Sequence, residues 1–466
     1  MKSMPRHQTK FRRDLRPYRQ RGSRRNREEG LIITLVAVCM LGFVGAMAAL
    51  SIDLVTLYTA RSEAQLAADS AALAGARVLA NSGMTSSTDL TLGGNAAALA
   101  LTVATEVAAS NPVGGRNLVS GTTACPAGQE ICVSINQTAA NFDANPQVTV
   151  TVQRTDLQTF FARIWGSTAF TVKASATAEA YNPSNIQATG GPGFPVAPMC
   201  VKPWLLPNMS PATSGDQIFN PAITGAIGDP KLLGWPSGGG TVAYLNTACP
   251  PTGCSSLASL APWQYYPGTT NPTGIPAASF PAPSESSCSG CTGLGDYQRS
   301  IAGCVQTPIS CNAIVQIDQN GNPNRDADTM TAVNILTNAT AGGDSVTTLN
   351  TPPSGTEPFE FLAGAGNPVV VASGGALNSG ADIMVSDSLV TVPVFDPNAA
   401  TTSFPNVQII GFVQLFLNPT GTAATAGKIQ TEVINIVGCG DGTGEATGTP
   451  IVGNGASPVA VRLISP

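Results

Sequence analysis

The longest apolar segment of the chain lies near its start, between Leu31 and Ile52. It holds 22 residues, LIITLVAVCMLGFVGAMAALSI, without a charged residue or a proline. A helix needs about 20 such residues to cross the hydrocarbon core of a bilayer. The sequence therefore predicts a transmembrane helix over residues 31–52.

The charges on either side of this segment predict its orientation. Residues 1–30 hold eleven Lys and Arg against three acidic residues, a net charge of +8, and the next basic residue is Arg61. By the positive-inside rule the N-terminus is cytoplasmic and the rest is exported. We predict a single-pass protein of the bacterial inner membrane, with a basic cytoplasmic tail over residues 1–30 and a periplasmic or extracellular bulk. The lipid bilayer is its first partner, and the orientation explains the basic tail without a nucleic-acid partner.

Two export signals compete with an uncleaved anchor. Ala46-Met47-Ala48 matches a signal-peptidase pattern, but the apolar run is longer than the usual 7–15 residues. Ser23-Arg24-Arg25 resembles a twin-arginine signal, but Arg27 and Glu28 stand where apolar residues are expected. These points favour the anchor and leave a cleaved signal peptide as the alternative.

Helical periodicity continues beyond the apolar segment. From Asp53 to Leu79 there is no proline, and small apolar residues recur at steps of three and four. They are Leu57, Ala60, Ala64, Ala67, Ala71, Ala74 and Val78. Such a narrow stripe allows close approach of a second backbone. It suits either packing on the helix's own domain or self-association, and both interpretations stand.

Alternating apolar positions then predict a small β module. The expected strands are Ile131 to Ile135, Val148 to Val152 and Phe170 to Ala176. Between them, Phe160, Phe161, Ile164 and Trp165 fall on one helical face, which we expect to cap the sheet. Cys125 and Cys132 are placed to staple the hairpin.

The order of these features resembles the N-terminal module of TadG-like proteins of the Flp/Tad pilus-assembly systems. The resemblance begins with Glu28-Glu29-Gly30, the apolar helix, Asp53 and Leu57-Tyr58, and it is most specific over QLAADSAALAGARVLA, Gln65 to Ala80. It continues through a second alanine-rich helix, at about Asn95 to Ala109, and covers about residues 25–181. It implies one N-terminal membrane helix, a strand, short helix and strand, and partners among the envelope proteins of a pilus or secretion system.

The sequence also departs from relatives of this family. Pilin-like members are cut after a Gly and carry Glu five residues later, whereas Gly30 is followed at that position by Leu35. Asp387-Ser-Leu-Val-Thr391 is the nearest match to a von Willebrand factor A metal motif and lacks both serines. We therefore expect neither prepilin processing nor a metal-dependent adhesion site.

Composition predicts an α+β chain in which β structure dominates the later part. Gly (49) and Pro (36) are frequent, and charged residues make up only 11%. The predicted divisions are the tail 1–30, the membrane helix 31–52, the TadG-like module 53–181, a Gly/Pro-rich linker 182–198, an irregular disulfide-rich region 199–358 and a β-rich C-terminal domain 359–466. The strands expected in the last domain, in a sandwich or barrel, are Pro368 to Ala372, Ile383 to Phe395, Asn406 to Leu417, Lys428 to Val437 and Pro458 to Ile464.

The eleven cysteines of the chain indicate in which cellular compartment it folds. Cys39 lies in the apolar segment, and the other ten lie downstream, as expected of disulfides in an oxidising environment. The predicted disulfide cysteines, whose pairing the sequence leaves open, are Cys125, Cys132, Cys200, Cys249, Cys254, Cys288, Cys291, Cys304, Cys311 and Cys439. One suggested pair is Cys200 with Cys439, which would clip the ends of the C-terminal domain together.

Catalytic and metal-binding patterns are scarce. The single histidine is His7, in the basic tail, which rules out a histidine triad or histidine-ligated zinc in the exported part. We predict no catalytic residue, no cofactor and no metal ligand. Cys288-Ser-Gly-Cys291, with Cys304 and Cys311, could instead form a zinc or redox site, but disulfides are favoured. The alternating oxygen ligands from Asp318 to Asp328 suggest calcium, but Pro323 replaces the EF-hand glycine, so a solvated turn is favoured.

Together these observations predict a non-catalytic, membrane-anchored envelope protein that assembles or anchors a Flp/Tad-type pilus or related secretion apparatus. The alternative is a periplasmic or surface binding module, similar to an adhesin, that uses the C-terminal β domain. A glycan hydrolase is disfavoured by the lone histidine and the missing motifs.

Overall fold

The structure is a computed structural model in which most of the chain is described. The described residues are 25–83, 90–119, 129–136, 146–166, 169–181, 198–209, 218, 242–249, 252–254, 256–257, 264–270, 288, 290–305, 309, 313–346, 358–372, 377–383, 386–397, 403–418, 429–438 and 459–465.

The described residues form helices and mostly antiparallel sheets, with the parallel pairs β4–β11 and β5–β6, which confirms the predicted α+β class. The helices are α1 (Arg25–Asn81), α2 (Leu90–Ser110), α3 (Asp296–Ala302), α4 (Arg325–Leu336) and α5 (Pro368–Ala372), with a short 3-10 helix at Ala162–Trp165. The strands are β1 (Ile131–Asn136), β2 (Gln147–Gln158), β3 (Ala169–Tyr181), β4 (Trp204–Pro207), β5 (Val242–Thr247), β6 (Gln264–Pro267), β7 (Ile314–Gln316), β8 (Ser345–Val346), β9 (Phe361–Leu362), β10 (Asp382–Ile383), β11 (Leu389–Asp396), β12 (Asn406–Leu417), β13 (Ile429–Gly438) and β14 (Ala460–Ser465).

The chain divides into two compact units. The first contains the described residues up to Thr59 together with Asp156–Phe170, and the second contains Ala60–Thr155 and Thr171 onward. The first unit therefore holds the apolar part of α1 and the connection between β2 and β3. The second unit holds the alanine-rich part of α1, α2 and the sheets.

A four-stranded sheet in the second unit has the order β1-β2-β3-β14. Strands β1 and β2 are antiparallel, with Ile131 opposite Val152, and the predicted alternation holds because Val148, Val150 and Val152 are buried on one face. The last strand, β14, pairs with β3, with Ala460 opposite Tyr181. This segment was predicted as a strand of the C-terminal domain 359–466, and its strand pairs with the sheet of β1, β2 and β3. Alternation identifies a strand, but it does not say which free edge the strand will join.

A second, larger sheet has the strand order β11-β4-β6-β5-β13-β12-β7, and an additional pairing of β11 with β12 closes six of these strands into a ring. Of the two predicted architectures, this pairing corresponds to the barrel. Strands β12 and β13 match the predicted segments at 406–417 and 428–437. A small third sheet contains β10, β9 and β8.

The region 199–358 was expected to be irregular, but it contains the regular elements β4, β5, β6, β7, α3 and α4. These strands are only three to six residues long, which is too short for a clear period in the sequence. Their pairing with β11, β12 and β13 also crosses the predicted boundary at residue 359. The domain limits themselves stay a prediction.

Two predicted C-terminal strands also differ from the structure. The apolar run Pro368–Ala372 is helix α5, not a strand. Two features favour the start of a helix here. Pro368 occupies the first helical position, and the Asn367 side chain accepts a hydrogen bond from the Val369 N–H at 2.9 Å. The segment from Ile383 to Phe395 is interrupted between β10 and β11, where Ser386 accepts a backbone hydrogen bond from Ser388. Short apolar runs of this kind fit a helix or a strand equally well.

The barrel strands bury side chains on both faces. One core joins them to α3 and α4 and includes Trp204, Tyr265 and Ile301. The residues next to these in the strands, Leu205 and Tyr266, belong to a separate core on the other face. Strands β11 and β12 therefore read as mostly apolar runs in the sequence, as expected of strands buried on both faces.

One carboxylate lies in this apolar interior. Glu432 on β13 is 1% exposed, and neither of its carboxylate oxygens has a hydrogen-bond partner among the described residues. Burial raises the pKa of Glu432 to about 7. The folded protein therefore holds this proton more tightly than the unfolded chain does, which makes stability dependent on pH.

Glu432→Gln is expected to remove part of the pH dependence of stability. Below pH 4.5 both states are protonated and the group contributes no difference; as pH rises through about 7, wild type loses roughly 3 kcal/mol relative to the variant. Denaturant unfolding between pH 4 and 8 measures this. Glu106→Gln, at an exposed position on α2, is the control and should behave as wild type. Equal pH profiles for wild type and Glu432→Gln would contradict the assignment.

Candidate functional site at α1 and Asp53

The apolar stretch of α1 is uncovered in the first unit. Leu35, Leu41 and Val44 each expose more than 60% of their surface, and nothing approaches within 4 Å of a Cβ built on Gly42 or Gly45. Among the described helices, α1 alone is long and apolar enough to cross a membrane. Water solvates such a surface poorly.

The alanine stripe of α1 is covered in the second unit. From Ala60 to Val78 every predicted stripe residue is at most 8% exposed. In the structure the alanine stripe packs on the chain's own domain, which was one of the two interpretations. Self-association through the Ala-rich helix stays a prediction, since it does not exclude this packing.

Close packing explains why small residues line this part of α1. A Cβ built on Gly75 would lie 2.9 Å from Val148 Cγ1 on β2 and 3.2 Å from Ala104 Cβ on α2. Both neighbours would have to move to admit any side chain, so the alanine and glycine content sets the distance between α1, α2 and the sheet. Polar contacts also fix the helix, since Gln65 donates to Asp69 at 2.7 Å and Gly114 N–H donates to Glu63 at 2.6 Å.

One buried carboxylate marks the end of the apolar stretch. Asp53 is 3% exposed and lies in the first unit with the loop of residues 159–166. Its oxygens accept hydrogen bonds from the backbone N–H groups of Phe160 (3.0 Å), Phe161 (3.0 Å) and Ala162 (2.7 Å). We call this arrangement the Asp53–loop contact.

The Asp53–loop contact satisfies backbone donors at the start of the 3-10 helix, which otherwise lack intrahelical partners. Burial by itself raises the pKa of Asp53, but the hydrogen bonds from Ala162, Phe160 and Phe161 lower it, and the net pKa is below the ordinary value. The group is therefore a charged acceptor. The arrangement positions the loop.

The predicted role of the loop aromatics needs correction. Phe160 was expected to cap the sheet, but its side chain is 63% exposed and Phe161 is half-buried. The side chains of Ile164 and Trp165 lie outside what the structure describes. The sequence analysis missed the Asp53–loop contact, although an aspartate directly after a 22-residue apolar run was a usable signal.

Three disulfides join described cysteines: Cys200–Cys304, Cys249–Cys254 and Cys288–Cys291. Cys132 is also disulfide-bonded, to a partner outside the described residues. Cys125, Cys311 and Cys439 lie outside them too, so their pairing and the proposed Cys125–Cys132 staple stay predictions. The suggested Cys200–Cys439 pair is wrong, because Cys200 is bonded to Cys304. Cys39 is free and exposed.

These pairings bear on the alternative metal and redox interpretations. A zinc site needs Cys288, Cys291 and Cys304 as thiolates, but all three are in disulfides, and Cys304 is bonded outside the motif. The motif also precedes α3 by several residues rather than starting it, so no helix N-terminus lies at its first cysteine to lower a thiol pKa.

A buried lysine lies beside the Cys200–Cys304 disulfide. Lys202 donates to the backbone carbonyls of Ile301 (2.7 Å) and Gly303 (2.9 Å), at the C-terminal end of α3. Burial lowers the pKa of Lys202 to about 7, against the opposing effect of the Asp387 charge. The lysine and the disulfide together anchor α3 to the strand that begins at Trp204.

In the oxygen-rich segment at 318–328, the carboxylates of Asp318 and Asp328 are hydrogen-bonded, whereas Oδ1 of Asp326 is buried without a partner among the described residues. Asp318 accepts from Arg325 and from the Asn320 N–H, and Asp328 accepts from Gln298 and Asn322. Helix α4 begins within the segment, at Arg325. In the part of the chain that the structure describes, no group of three or more His, Cys, Asp or Glu residues could hold a metal ion. The calcium interpretation gains no support from this geometry.

Comparison with known proteins identifies one family. Residues 31–78 match the model of the putative Flp pilus-assembly TadE/G-like family, which confirms the resemblance for the apolar helix and the alanine-rich helix. The match covers 48 of the 466 residues. No curated protein and no solved structure matches the chain.

Asp53→Asn is expected to release the loop. An amide offers one acceptor oxygen and turns an N–H₂ group toward backbone donors, so the three N–H groups cannot all stay bonded. Hydrogen exchange followed by mass spectrometry should show faster exchange of peptides covering residues 160–162. The control is Asp382→Asn at an exposed position on β10. Unchanged protection of residues 160–162 in Asp53→Asn would contradict the role of the contact.

Removing disulfides is expected to destabilise the protein according to the length of the loop that each closes. Cys200 and Cys304 are 104 residues apart and Cys249 and Cys254 only five. Loop-closure entropy makes loss of the first pair more destabilising by about 2–3 kcal/mol. Unfolding of the two double-alanine variants under matched conditions measures the difference, and an equal or reversed order would refute it.

Proposed function

We propose that this chain is a membrane-anchored, non-catalytic envelope protein that takes part in assembling or anchoring a Flp/Tad-type pilus or a related secretion apparatus. The observation that carries the proposal is the coincidence of two findings on one helix. Residues 31–78 match the TadE/G-like family, and the first 22 of them form an exposed apolar surface of membrane-spanning length.

The charge distribution supports an orientation for the anchor. The tail of residues 1–30 carries a net charge of +8, eleven basic residues less three acidic. The proposed topology places this tail in the cytoplasm and the sheets, with their disulfide-bonded cysteines, outside the inner membrane. Disulfides such as Cys200–Cys304 are consistent with an oxidising compartment.

A structural role also agrees with what the described residues offer for chemistry. Asp318 and Asp328 accept hydrogen bonds from neighbouring side chains, and the buried carboxylate of Asp53 accepts hydrogen bonds from backbone N–H groups. The proposed partners are other envelope proteins of the pilus or secretion system. Because the chain covers the alanine stripe, these partners would use another surface.

Leu41→Arg tests the proposal against a matched control. Leu41 lies at the centre of the apolar stretch and is 78% exposed, while Leu66, 65% exposed, lies beyond it on the same helix. Arginine at the bilayer centre opposes insertion by about 3 kcal/mol. A strain lacking the protein, supplied with the Leu41→Arg variant, should lose both the membrane-bound protein and pilus assembly, whereas Leu66→Arg should restore both.

The two readouts separate the parts of the proposal. If Leu41→Arg lowers the amount of membrane-bound protein no more than Leu66→Arg does, the anchor at residues 31–52 is refuted. If the deletion strain assembles normal pili or secretes normally, the role in assembly is refuted even if the anchor is correct.

A further inference from the structure

The loop of residues 159–166 lies at the level where the apolar stretch of α1 ends. Asp53 directly follows Ile52, and one residue adds about 1.5 Å along a helix. The Phe160 N–H is 3.0 Å from Asp53 Oδ1. The backbone of Phe160 is therefore held within a few ångströms of the boundary between the apolar stretch and the residues that follow.

The burial pattern of α1 extends this contact toward the apolar side. Ala49, one helical turn before Asp53, is 8% exposed, whereas Leu50 and Ile52 between them are more than half exposed. Residues four apart share a face of a helix. The covered face of α1 thus reaches one turn into the stretch that the bilayer would surround.

Two side chains of the loop suit the interface between lipid and water. Phe160 is 63% exposed, and Arg163, three residues later, is also exposed. A single exposed aromatic side chain on a soluble surface needs no explanation. This one is fixed at the end of a membrane-spanning stretch, and an aromatic ring beside a basic group is the combination that enters the boundary between headgroups and acyl chains.

We propose that the loop of residues 159–166 is a second lipid contact of the protein, in which Phe160 enters the bilayer interface and the Asp53–loop contact holds it there. The proposal rests on the membrane anchor of the proposed function. The partner is the phospholipid interface itself, with the acyl boundary around the ring and the headgroup phosphates near Arg163. The three backbone hydrogen bonds to Asp53 fix the depth of the loop relative to α1.

Site-specific photo-crosslinking in the full-length protein tests this proposal. Phe160 is replaced by p-benzoyl-phenylalanine, and the protein is reconstituted into vesicles of phosphatidylethanolamine and phosphatidylglycerol. After irradiation, lipid adducts are sought by mass spectrometry on the tryptic peptide of residues 155–163. The same probe at Leu41 is the positive control, and at Leu66 the negative control.

The proposal predicts lipid adducts at positions 160 and 41, and their absence at position 66. Combining the probe at 160 with Asp53→Asn should reduce the lipid adduct toward the level at position 66. The lipid contact itself is decided by the probe at 160 in the protein that keeps Asp53, so poor folding of the Asp53→Asn variant does not affect that test.

Each other outcome overturns a different statement. Lipid adducts at 41 without any at 160, or adducts at 160 only to protein, refute the lipid contact and leave the anchor intact. Absence of lipid adducts at 41 refutes the anchor, and the proposal falls with it. Lipid adducts at 160 that are unchanged by Asp53→Asn refute the part assigned to the carboxylate.

Discussion

The exposed apolar surface of α1 is the constraint from which the rest of the account follows. Between Leu31 and Ile52 all side chains except those of Ala46 and Ala49 are exposed in the structure. Apolar area left in water is unfavourable by about 25 cal/mol per Å², so a stretch of this length requires another environment. A bilayer of about 30 Å hydrocarbon thickness matches a helix of this length.

The same helix changes its surroundings without changing its secondary structure. Up to Ile52 most of its side chains are apolar and exposed, and from Ala60 one face presents small, buried side chains. The first surface suits lipid and the second suits close packing against α2 and β2. Asp53 lies between these two parts of the helix. Its carboxylate accepts three backbone N–H hydrogen bonds and ends the apolar stretch.

The sequence predicted those features that depend on local pattern. The apolar run, the alanine periodicity and the alternation at Val148 to Val152 each correspond to an element of the structure. The reason is that side chains repeat every 3.6 residues on one face of a helix and every two residues on one face of a strand. The family resemblance at residues 31–78 rested on the same residues.

Features that depend on distant pairing escaped prediction. The register of β14 against β3, and the contribution of β4 to the barrel, join segments more than a hundred residues apart. Pro368–Ala372 was ambiguous because five apolar residues carry no decisive period. The Asp53–loop contact was missed because its hydrogen-bond donors are backbone N–H groups, which nearly every residue has. Only the acceptor, Asp53, can be identified from the residue types in the sequence.

Topology mapping tests the account most directly. A dual reporter of alkaline phosphatase and β-galactosidase fragment, fused after Gly83 just beyond α1, reports which side of the membrane the helix delivers. The account predicts phosphatase activity in a membrane-bound fusion that resists extraction at alkaline pH. Galactosidase activity, or phosphatase activity released as a soluble protein, would contradict it.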